Sequence, residues 1–559
     1  MTPPETAHNH YLANTHIVEN QPPELENLNL FEQDTALKEA VEREGASWAR
    51  DEISLFGQKV GEASYIELGF QANENRPVLH THDRFGHRVD QVKFHPAYHQ
   101  LMKTSIENGL HSSPWTNPRP GAHVARSAKC YLQSQIEAAH GCPITMTFAS
   151  IPSLNKQPEL AKVWAPLITA REYDGANRPF YQKEGVTIGM AMTEKQGGSD
   201  VRANSTKAYP VGQPGGGELY ELVGHKYFVS APMCDAFLVL AQTSGGLSCF
   251  LVPRWNPDGS KNPLQVLRLK DKMGNVANAS SETELRGALG WMVGEEGQGV
   301  RTIIEMVSLT RFDCMMGSSS GQRLAVAHAT HHCHYRSAFG AKLDQQPLMQ
   351  NVLADLALEQ EGSLAFTMRM ARALDNQHDE SEQLLMRLGT AVGKYWICKR
   401  TPNHAYEAME CVGGSGVMEN SIFPRLFRES PVNAIWEGSG NVQCLDVLRV
   451  MSKSPAAVDT FFDEVDKAKG QNNTLDQYVQ SLKQEFTDLS NIEYRARNIV
   501  DRLALAFQAS LLIRNGNHTI SDLFCASRLA HSGGHNIGTM PTGGDCASII
   551  ERARPKLEI

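Results

Sequence analysis

Met190-Ala-Met-Thr-Glu-Lys-Gln-Gly-Gly-Ser-Asp200 marks the point where the chain changes character. Before it, from about Thr35 to Ile168, the segments read as helices separated by polar and Pro-rich joints such as Ser112-Ser-Pro-Trp-Thr-Asn-Pro118. From Thr187 to about Trp291, short β-rich runs alternate with Gly-rich turns: Leu219-Tyr-Glu-Leu-Val223, Tyr227-Phe-Val229, Ala236-Phe-Leu-Val-Leu240, Ser248-Cys-Phe-Leu-Val252 and Leu264-Gln-Val-Leu-Arg-Leu269. That spacing predicts a small antiparallel barrel or sandwich. Beyond Gly299, Val300, Ile303, Ile304 and Val307 fall at i, i+3, i+4 and i+7, the period of a helix with one apolar face. Helix-compatible sequence continues to about Met451, and again through the last hundred residues to the Gly-rich stretch Ser532-Gly-Gly534 to Gly543-Gly544. The expected fold is therefore mainly α with an inserted β module.

The 559 residues suggest three or four packed units at roughly 150 residues each. With 41% apolar and 21% charged residues the composition is that of a globular protein. A net charge of −9 excludes a global basic field for nucleic acid or an anionic membrane. Eleven cysteines occur singly with no C-x-x-C pair, as reduced intracellular thiols would. The first forty residues show neither a secretory signal nor an Arg-rich transit peptide, which points to the cytoplasm. The longest apolar stretch, Ala236–Pro253, is broken by Gln242-Thr-Ser-Gly-Gly246, and two strands joined by a turn fit it better than a membrane span.

A β module set between helical modules leaves a crevice at the junction, where cofactors commonly bind. The Gly197-Gly198 turn lets backbone and the Thr193 and Ser199 hydroxyls come close to a flat polar ligand, although the same residues also make an ordinary turn. No G-x-G-x-x-G or G-x-x-x-x-G-K-[ST] motif is present, which disfavours a Rossmann nucleotide site or a P-loop. A second constellation is Gly413-Gly-Ser-Gly416, Pro424-Arg-Leu-Phe-Arg428 and Asn433-Ala-Ile-Trp-Glu-Gly-Ser-Gly-Asn441. In it Glu437 stands alone between Trp436 and Gly438; desolvated there it would suit a general base, and otherwise it caps the helix that follows.

Other features carry less. His328, His331, His332 and His334 cluster on one predicted helix without a carboxylate or Cys pair beside them, so no metal is expected. Phe94-His-Pro-Ala-Tyr-His99 reads as a packed helix start, with His80, His82 and His87 upstream. Cys314-Met-Met-Gly-Ser-Ser-Ser-Gly321 reads as the start of a helix packed closely through small residues, with a lipid-lined tunnel as the alternative.

Taken together, seven collinear motifs resemble the acyl-CoA dehydrogenase family in its AidB-like branch: Met192-Thr-Glu-Lys-Gln-Gly-Gly-Ser-Asp-Val201, Gly224-His-Lys-Tyr-Phe-Val-Ser230, Asp271-Lys-Met-Gly274, Thr310-Arg-Phe-Asp313, Arg336-Ser-Ala-Phe-Gly340, Gly413-Gly-Ser-Gly416 and Ile435-Trp-Glu-Gly-Ser-Gly-Asn441. The resemblance runs from about residue 30 to residue 452. It implies a helical unit over 1–185, a β-barrel unit over 186–295, a helical bundle over 296–453 and an extra helical unit over 454–559. It also implies FAD, with Met190, Met192, Thr193, Gly198 and Ser199 on one side of the isoalloxazine site and Phe228, Val229 and Ser230 covering the ring. Arg336, Phe339, Gln346, Gly413 and Gly414 match elements that reach the FAD of a neighbouring subunit, and a guanidinium fork suits a pyrophosphate. Ile435, Trp436, Gly438, Ser439 and Asn441 match the remaining cofactor contacts.

In such a reaction one carboxylate takes the α-proton of an acyl-CoA thioester while a hydride leaves Cβ for flavin N5. Glu437 matches that base, and Ser199 and Arg311 match substrate contacts, Arg311 being open between CoA recognition and a buried ion pair. A medium- or long-chain acyl-CoA and a homotetramer are the implied partners, with the electron acceptor open between an electron-transfer flavoprotein and oxygen. Three positions depart from the usual pattern: Ile435-Trp436 replaces an aliphatic-Tyr pair, Phe228 stands where Trp is common, and Glu410 where many relatives carry Gln. The branch has also been linked to DNA through its added segment and includes flavoproteins with little turnover. Here residues 454–559 hold 11 Lys and Arg against 13 Asp and Glu, so DNA binding is disfavoured, leaving only a folded patch from Arg495, Arg497, Arg502 and Arg514.

Overall fold

The computed structural model describes residues 16–530 and 536–557. The Gly-rich stretch Ser532-Gly-Gly534 lies outside them. The chain opens with helices α1 (Thr35–Arg43), α2 (Arg50–Val60) and α3 (Ala63–Glu74), followed by strands β1 (Val78–His82) and β2 (Arg88–Lys93). Helices α4 (Pro96–Glu107), α5 (Ser113–Thr116), α6 (Ala122–Ile136), α7 (Gly141–Leu154) and α8 (Pro158–Thr169) complete this part. His95 caps α4 and Pro96 is its first residue, so the expected helix start is found there. The hairpin β1–β2 corrects an all-helical reading: its strands are polar on both faces, and Asp83 turns the chain by accepting from the backbone N–H groups of Phe85 and His87.

The β module comprises β3 (Ile188–Ala191), β4 (Lys207–Pro210), β5 (Leu219–Ser230), β6 (Ala236–Thr243), β7 (Gly246–Pro253), β8 (Leu264–Leu269) and β9 (Ser280–Val293). Strand order is β3-β6-β4-β5-β9-β7, with β8 on β9, and β6 also pairs with β7, so the sheet closes into a barrel. The stretch 236–253 is the expected hairpin, with Thr243 opposite Gly246 and both strands buried in the barrel wall. The runs at 219–223 and 227–229 are one strand, β5, whose register against β9 shifts between Lys226 and Val229. Such an irregularity re-aims the side chains beyond it.

The long helix α9 (Gly299–Tyr335) has 37 residues and is the spine of the molecule. The stretch Cys314–Gly321 lies in its middle, not at a helix start. After the short hairpin β10 (Ser337–Ala338) and β11 (Ala341–Lys342) come α10 (Pro347–Asp375), α11 (Glu380–Val412), α12 (Ile422–Glu429) and α13 (Gly440–Lys453). The last residues form α14 (Pro455–Asp466), α15 (Asn473–Gln484), α16 (Ile492–Arg514), α17 (His518–Phe524) and α18 (Cys546–Ala553).

These last helices share the bundle's core. Phe507 of α16 lies 4.5 Å from Phe366 of α10 and 4.8 Å from Phe461 of α14, ring centre to ring centre. Arg369 of α10, buried, bonds Glu464 of α14 at 2.9 Å and Glu382 of α11 at 2.8 Å. No helix among the described residues is long and apolar enough to cross a membrane.

Candidate functional site

One cavity of about 840 Å³ opens where the barrel meets the helices, walled by α6, α7, the loop after β3, the end of β5, α9, α12 and the segment leading into α13. The α9 stripe Val300, Ile303, Ile304 and Val307 lines it, so the apolar face read from the sequence covers a cavity as well as core. Further along the same helix Met316, Gly317, Ser318, Gly321 and Leu324 line it too. The small residues of the Cys314–Gly321 run therefore lie in a closely packed helix and also line the cavity.

Glu437 stands in this wall with φ +58, in the left-handed region that non-glycine residues rarely adopt. Three side chains hold the strained turn. Lys394 of α11, almost fully buried, donates to the carbonyls of Trp436 at 2.8 Å and Gly438 at 2.7 Å. Arg311 of α9 donates Nε to the Glu437 carbonyl at 2.8 Å, and Gln443 donates to the Glu437 and Gly438 carbonyls at 3.1 and 2.9 Å. Gly438 follows at φ +100, where a Cβ would meet Gln443 Nε2 at 2.7 Å.

The result is a carboxylate kept out of the helix cap. Ser439 is the N-terminal cap residue of α13, and Glu437 Oε2 is buried with no hydrogen-bond partner. Burial raises its pKa above the ordinary carboxylate range, opposed by the Thr310 hydroxyl and by the charges of Arg311 and Lys394. The backbone bonds of this segment use the N–H groups of Ile435 and Trp436 but not that of Glu437. Trp436 is oriented by its Nε1–H to Asn433, which in turn donates to Ser318.

Facing this segment are the two motifs of the β module. Met190, Met192, Thr193, Gly198 and Ser199 line the cavity from the β3 loop, and Phe228 and Ser230 from the end of β5. Val229, between them, faces the other side of the strand and is buried against the barrel. The two motifs are one ion pair: Lys226 Nζ lies 2.8 Å from Glu194 Oε1, both fully buried, and Lys226 also donates to the Leu240 carbonyl. Lys226 pulls the Glu194 carboxyl well below its usual range, and Glu194 in turn accepts from the backbone of Ser205 and Thr206, closing the loop. Gly198 packs tightly, since a Cβ there would lie 2.5 Å from Thr193 Oγ1.

The remaining expected residues fall elsewhere. Arg311 pairs with Asp446 at 2.7 Å while lining the cavity, so of its two readings the ion pair is present in the structure. Ile435 and Ser439 line the cavity, but the Asn441 carboxamide is taken by Arg497 of α16 at 2.9 Å. Arg336, Phe339, Gln346, Gly413 and Gly414 are not brought to the cavity by this chain. They lie at the far ends of α9 and α11, which meet where Cys333 Sγ approaches the Cys411 carbonyl at 3.7 Å, except Gln346, which precedes α10 as its N-terminal cap residue. Phe339 is fully exposed at φ +53, and Gly413 and Gly414 have open space where a Cβ would be. Glu410 is exposed at the same end of α11.

Among the described residues no group of three His, Cys, Asp or Glu could hold a metal; His331 bonds the Pro23 carbonyl and His334 bonds Asp344. The arginines of the proposed basic patch are engaged as well, Arg495 and Arg502 by Glu485, Arg514 by Glu464 and Arg497 by Asn441. Sequence reading missed Glu194, Lys226 and Lys394 as working residues. A lysine amid Val392-Gly-Lys-Tyr-Trp-Ile397 is the one signal that could have found Lys394, because a charge on a buried helix face demands a partner.

The site residues fit FAD on the structure's own terms. The Gly197-Gly198 turn with the Thr193 and Ser199 hydroxyls and the half-exposed Phe228 ring at the cavity edge leave room and donors for a flat ring. Comparison with known proteins agrees with this arrangement. Residues 20–175 match the adaptive response protein AidB N-terminal domain, 189–288 the acyl-CoA dehydrogenase middle domain and 297–452 the acyl-CoA dehydrogenase C-terminal domain. The chain is 45% identical over 542 residues to the acyl-CoA dehydrogenase homologue AidB of Escherichia coli strain K12, covering 95% of this chain and 99% of that one. It is 30% identical over 451 residues to acyl-CoA dehydrogenase family member 11 of Caenorhabditis elegans, covering 78% and 72% of the two chains. The crystal structure of Caenorhabditis elegans ACDH-11 in complex with C11-CoA superposes with a TM-score of 0.83 at 26% identity, covering 92% of this chain and 93% of that one.

Proposed function

This chain belongs to the acyl-CoA dehydrogenase family, in its AidB-like branch, and from that membership we propose that it dehydrogenates a long-chain acyl-CoA between Cα and Cβ with Glu437 as the base. The observation that carries the reading is the orphaned Oε2 of Glu437, buried in the cavity wall with its basicity raised. A carboxylate committed to a cap or an ion pair could not take a weakly acidic α-proton.

The family's cofactor is FAD, and when bound it supplies the hydride acceptor. Thr193, Ser199, Phe228 and Ser230 are the residues that would hold its ring. Arg336, Phe339, Gln346, Gly413 and Gly414 would serve the cofactor of a neighbouring copy, which makes a homo-oligomer, on the family pattern a tetramer, part of the reading. The Glu437 N–H, free of the segment's own bonds, would donate to the thioester oxygen as negative charge develops on it. Lys394, Arg311 and Gln443 keep the carboxylate from relaxing into the helix start.

Chain length follows from α9. Thr310, beside Glu437, and Leu324 both line the cavity, and 14 residues of helix separate them by about 21 Å, room for a long rather than a short acyl group. Electron-transfer flavoprotein fits as the acceptor that reoxidises the flavin. DNA binding is not adopted, since three of the four candidate arginines, Arg495, Arg502 and Arg514, are ion-paired and Arg497 is bonded to Asn441.

The test is an anaerobic titration of the yellow holoprotein with acyl-CoAs of increasing length. Bleaching of the oxidised flavin by long chains supports the reading; a flavin that stays oxidised across the panel would reject it in favour of a flavoprotein without dehydrogenase turnover.

A further inference from the structure

The deep half of the cavity is not uniformly apolar. Arg425 and Glu429 stand one turn apart on α12 and both line it, Arg425 with 8% of its surface exposed. Arg425 Nη2 donates to the Ile136 carbonyl at 2.6 Å, but Nη1 is buried without a partner. Glu429 Oε1 is buried without a partner as well. Each such atom costs on the order of 1–3 kcal/mol unless something satisfies it.

The groups packed around them are already engaged. Glu137 accepts from His140 Nδ1 at 2.9 Å and from the N–H groups of Ala139 and His140, and Lys272 donates to the Asn278 carbonyl at 2.8 Å and to Ser280 at 3.0 Å. What is left over is one donor and one carboxyl oxygen, four residues apart on the same helix face. Leu426, between them, touches the open face of Gly321, 11 residues and about 16 Å beyond Thr310 along α9.

We propose that Arg425 and Glu429 form a subsite for a hydroxyl group on the acyl chain, so that the substrate class is a long-chain acyl-CoA oxygenated in its far half. This rests on the acyl-CoA reading above and deepens it. A hydroxyl both accepts and donates, and so satisfies the two orphaned atoms without bringing a charge into the wall. A carboxylate there would stand against the ionised Glu137. Burial pushes the Glu429 carboxyl up, against the pull of Arg425 and with Glu137 adding to the rise.

Calorimetric titration of the holoprotein with three probes tests this: a long-chain acyl-CoA, the same chain hydroxylated beyond its midpoint, and the same chain ending in a carboxylate. The hydroxylated thioester is expected to bind about tenfold tighter than the plain one. Glu429→Leu should erase that preference while leaving the plain chain's affinity in place, and Glu429→Gln, which keeps the shape and hydrogen bonding, should retain most of it. Equal binding of plain and hydroxylated chains, or tightest binding of the carboxylate, overturns the subsite while leaving the dehydrogenase reading intact. Failure of all three to bind overturns the acyl-CoA reading and the subsite with it.

Discussion

Arg311 of α9 donates its Nε to the main-chain carbonyl of Glu437, 126 residues further along the chain, at 2.8 Å. The contact fixes the strained turn from the helix that also lines the cavity, so the position of Glu437 and that of the helix are coupled through one guanidinium. Its other arm is spent on Asp446 at 2.7 Å, midway along the helix that follows. Replacing Arg311 by Met should therefore cost about 3 kcal/mol, the scale for breaking a largely buried ion pair, and slow flavin bleaching. Urea unfolding and stopped-flow reduction read the two effects separately; an unchanged bleaching rate would show that the turn holds its shape without this arm.

Gly438→Ala should be worse than its size suggests. The residue sits at φ +100, and the new methyl would press on Gln443 and Val442, at 2.7 and 2.9 Å. A loss of roughly 1–3 kcal/mol is expected from backbone strain alone. The variant should still bind flavin, because the β3 loop is untouched, yet reduce it poorly.

The stability of the protein should fall as pH rises through the titration of Glu437. Its folded-state pKa is raised by burial, so the folded chain holds a proton that the unfolded chain has already released, and unfolding becomes easier with increasing pH. The isosteric Glu437→Gln variant lacks this penalty. It should be more stable than the parent at neutral pH, equal to it below the ordinary carboxylate pKa, and unable to bleach the flavin with any acyl-CoA that works. Urea midpoints at two pH values check the first part; bleaching at the parental rate would remove Glu437 as the base.

Lys226→Met should leave Glu194 as a buried, unpaired carboxylate. A loss of about 3–5 kcal/mol is expected, along with loosening of the Glu194–Thr206 loop and loss of flavin, measurable as the ratio of flavin to protein absorbance. Adding Glu194→Leu should recover much of the stability and little of the flavin, since the loop closure depends on the carboxylate itself.

The layout of helices, barrel and helices was readable because period and turn residues are local signals. The β6–β7 hairpin shows this best, announced by a Gly-Gly turn between two apolar runs. Hairpin β1–β2 was not readable, because His80, His82 and Arg88 give its strands no apolar face. Glu437 could be singled out as a lone carboxylate beside Trp436, but the partners that decide its role, Lys394, Arg311 and Gln443, come together only in three dimensions. The same holds for Glu194 and Lys226, each visible as a motif member and neither legible as half of a pair. Arg336, Phe339 and the 413–414 glycines were identified by resemblance alone, and a single chain leaves them on its surface.

Residues 454–559 extend the chain well past the last residue matched by the dehydrogenase models, yet they cannot be peeled away. Phe507 fills the bundle between Phe366 and Phe461, Glu464 neutralises the buried Arg369, and Arg497 closes over the first turn of α13. A gene cut after codon 453 would not yield a smaller dehydrogenase but a bundle with one wall missing. The terminal helices are thus structural members of the bundle, carrying part of its core and of its buried charge balance.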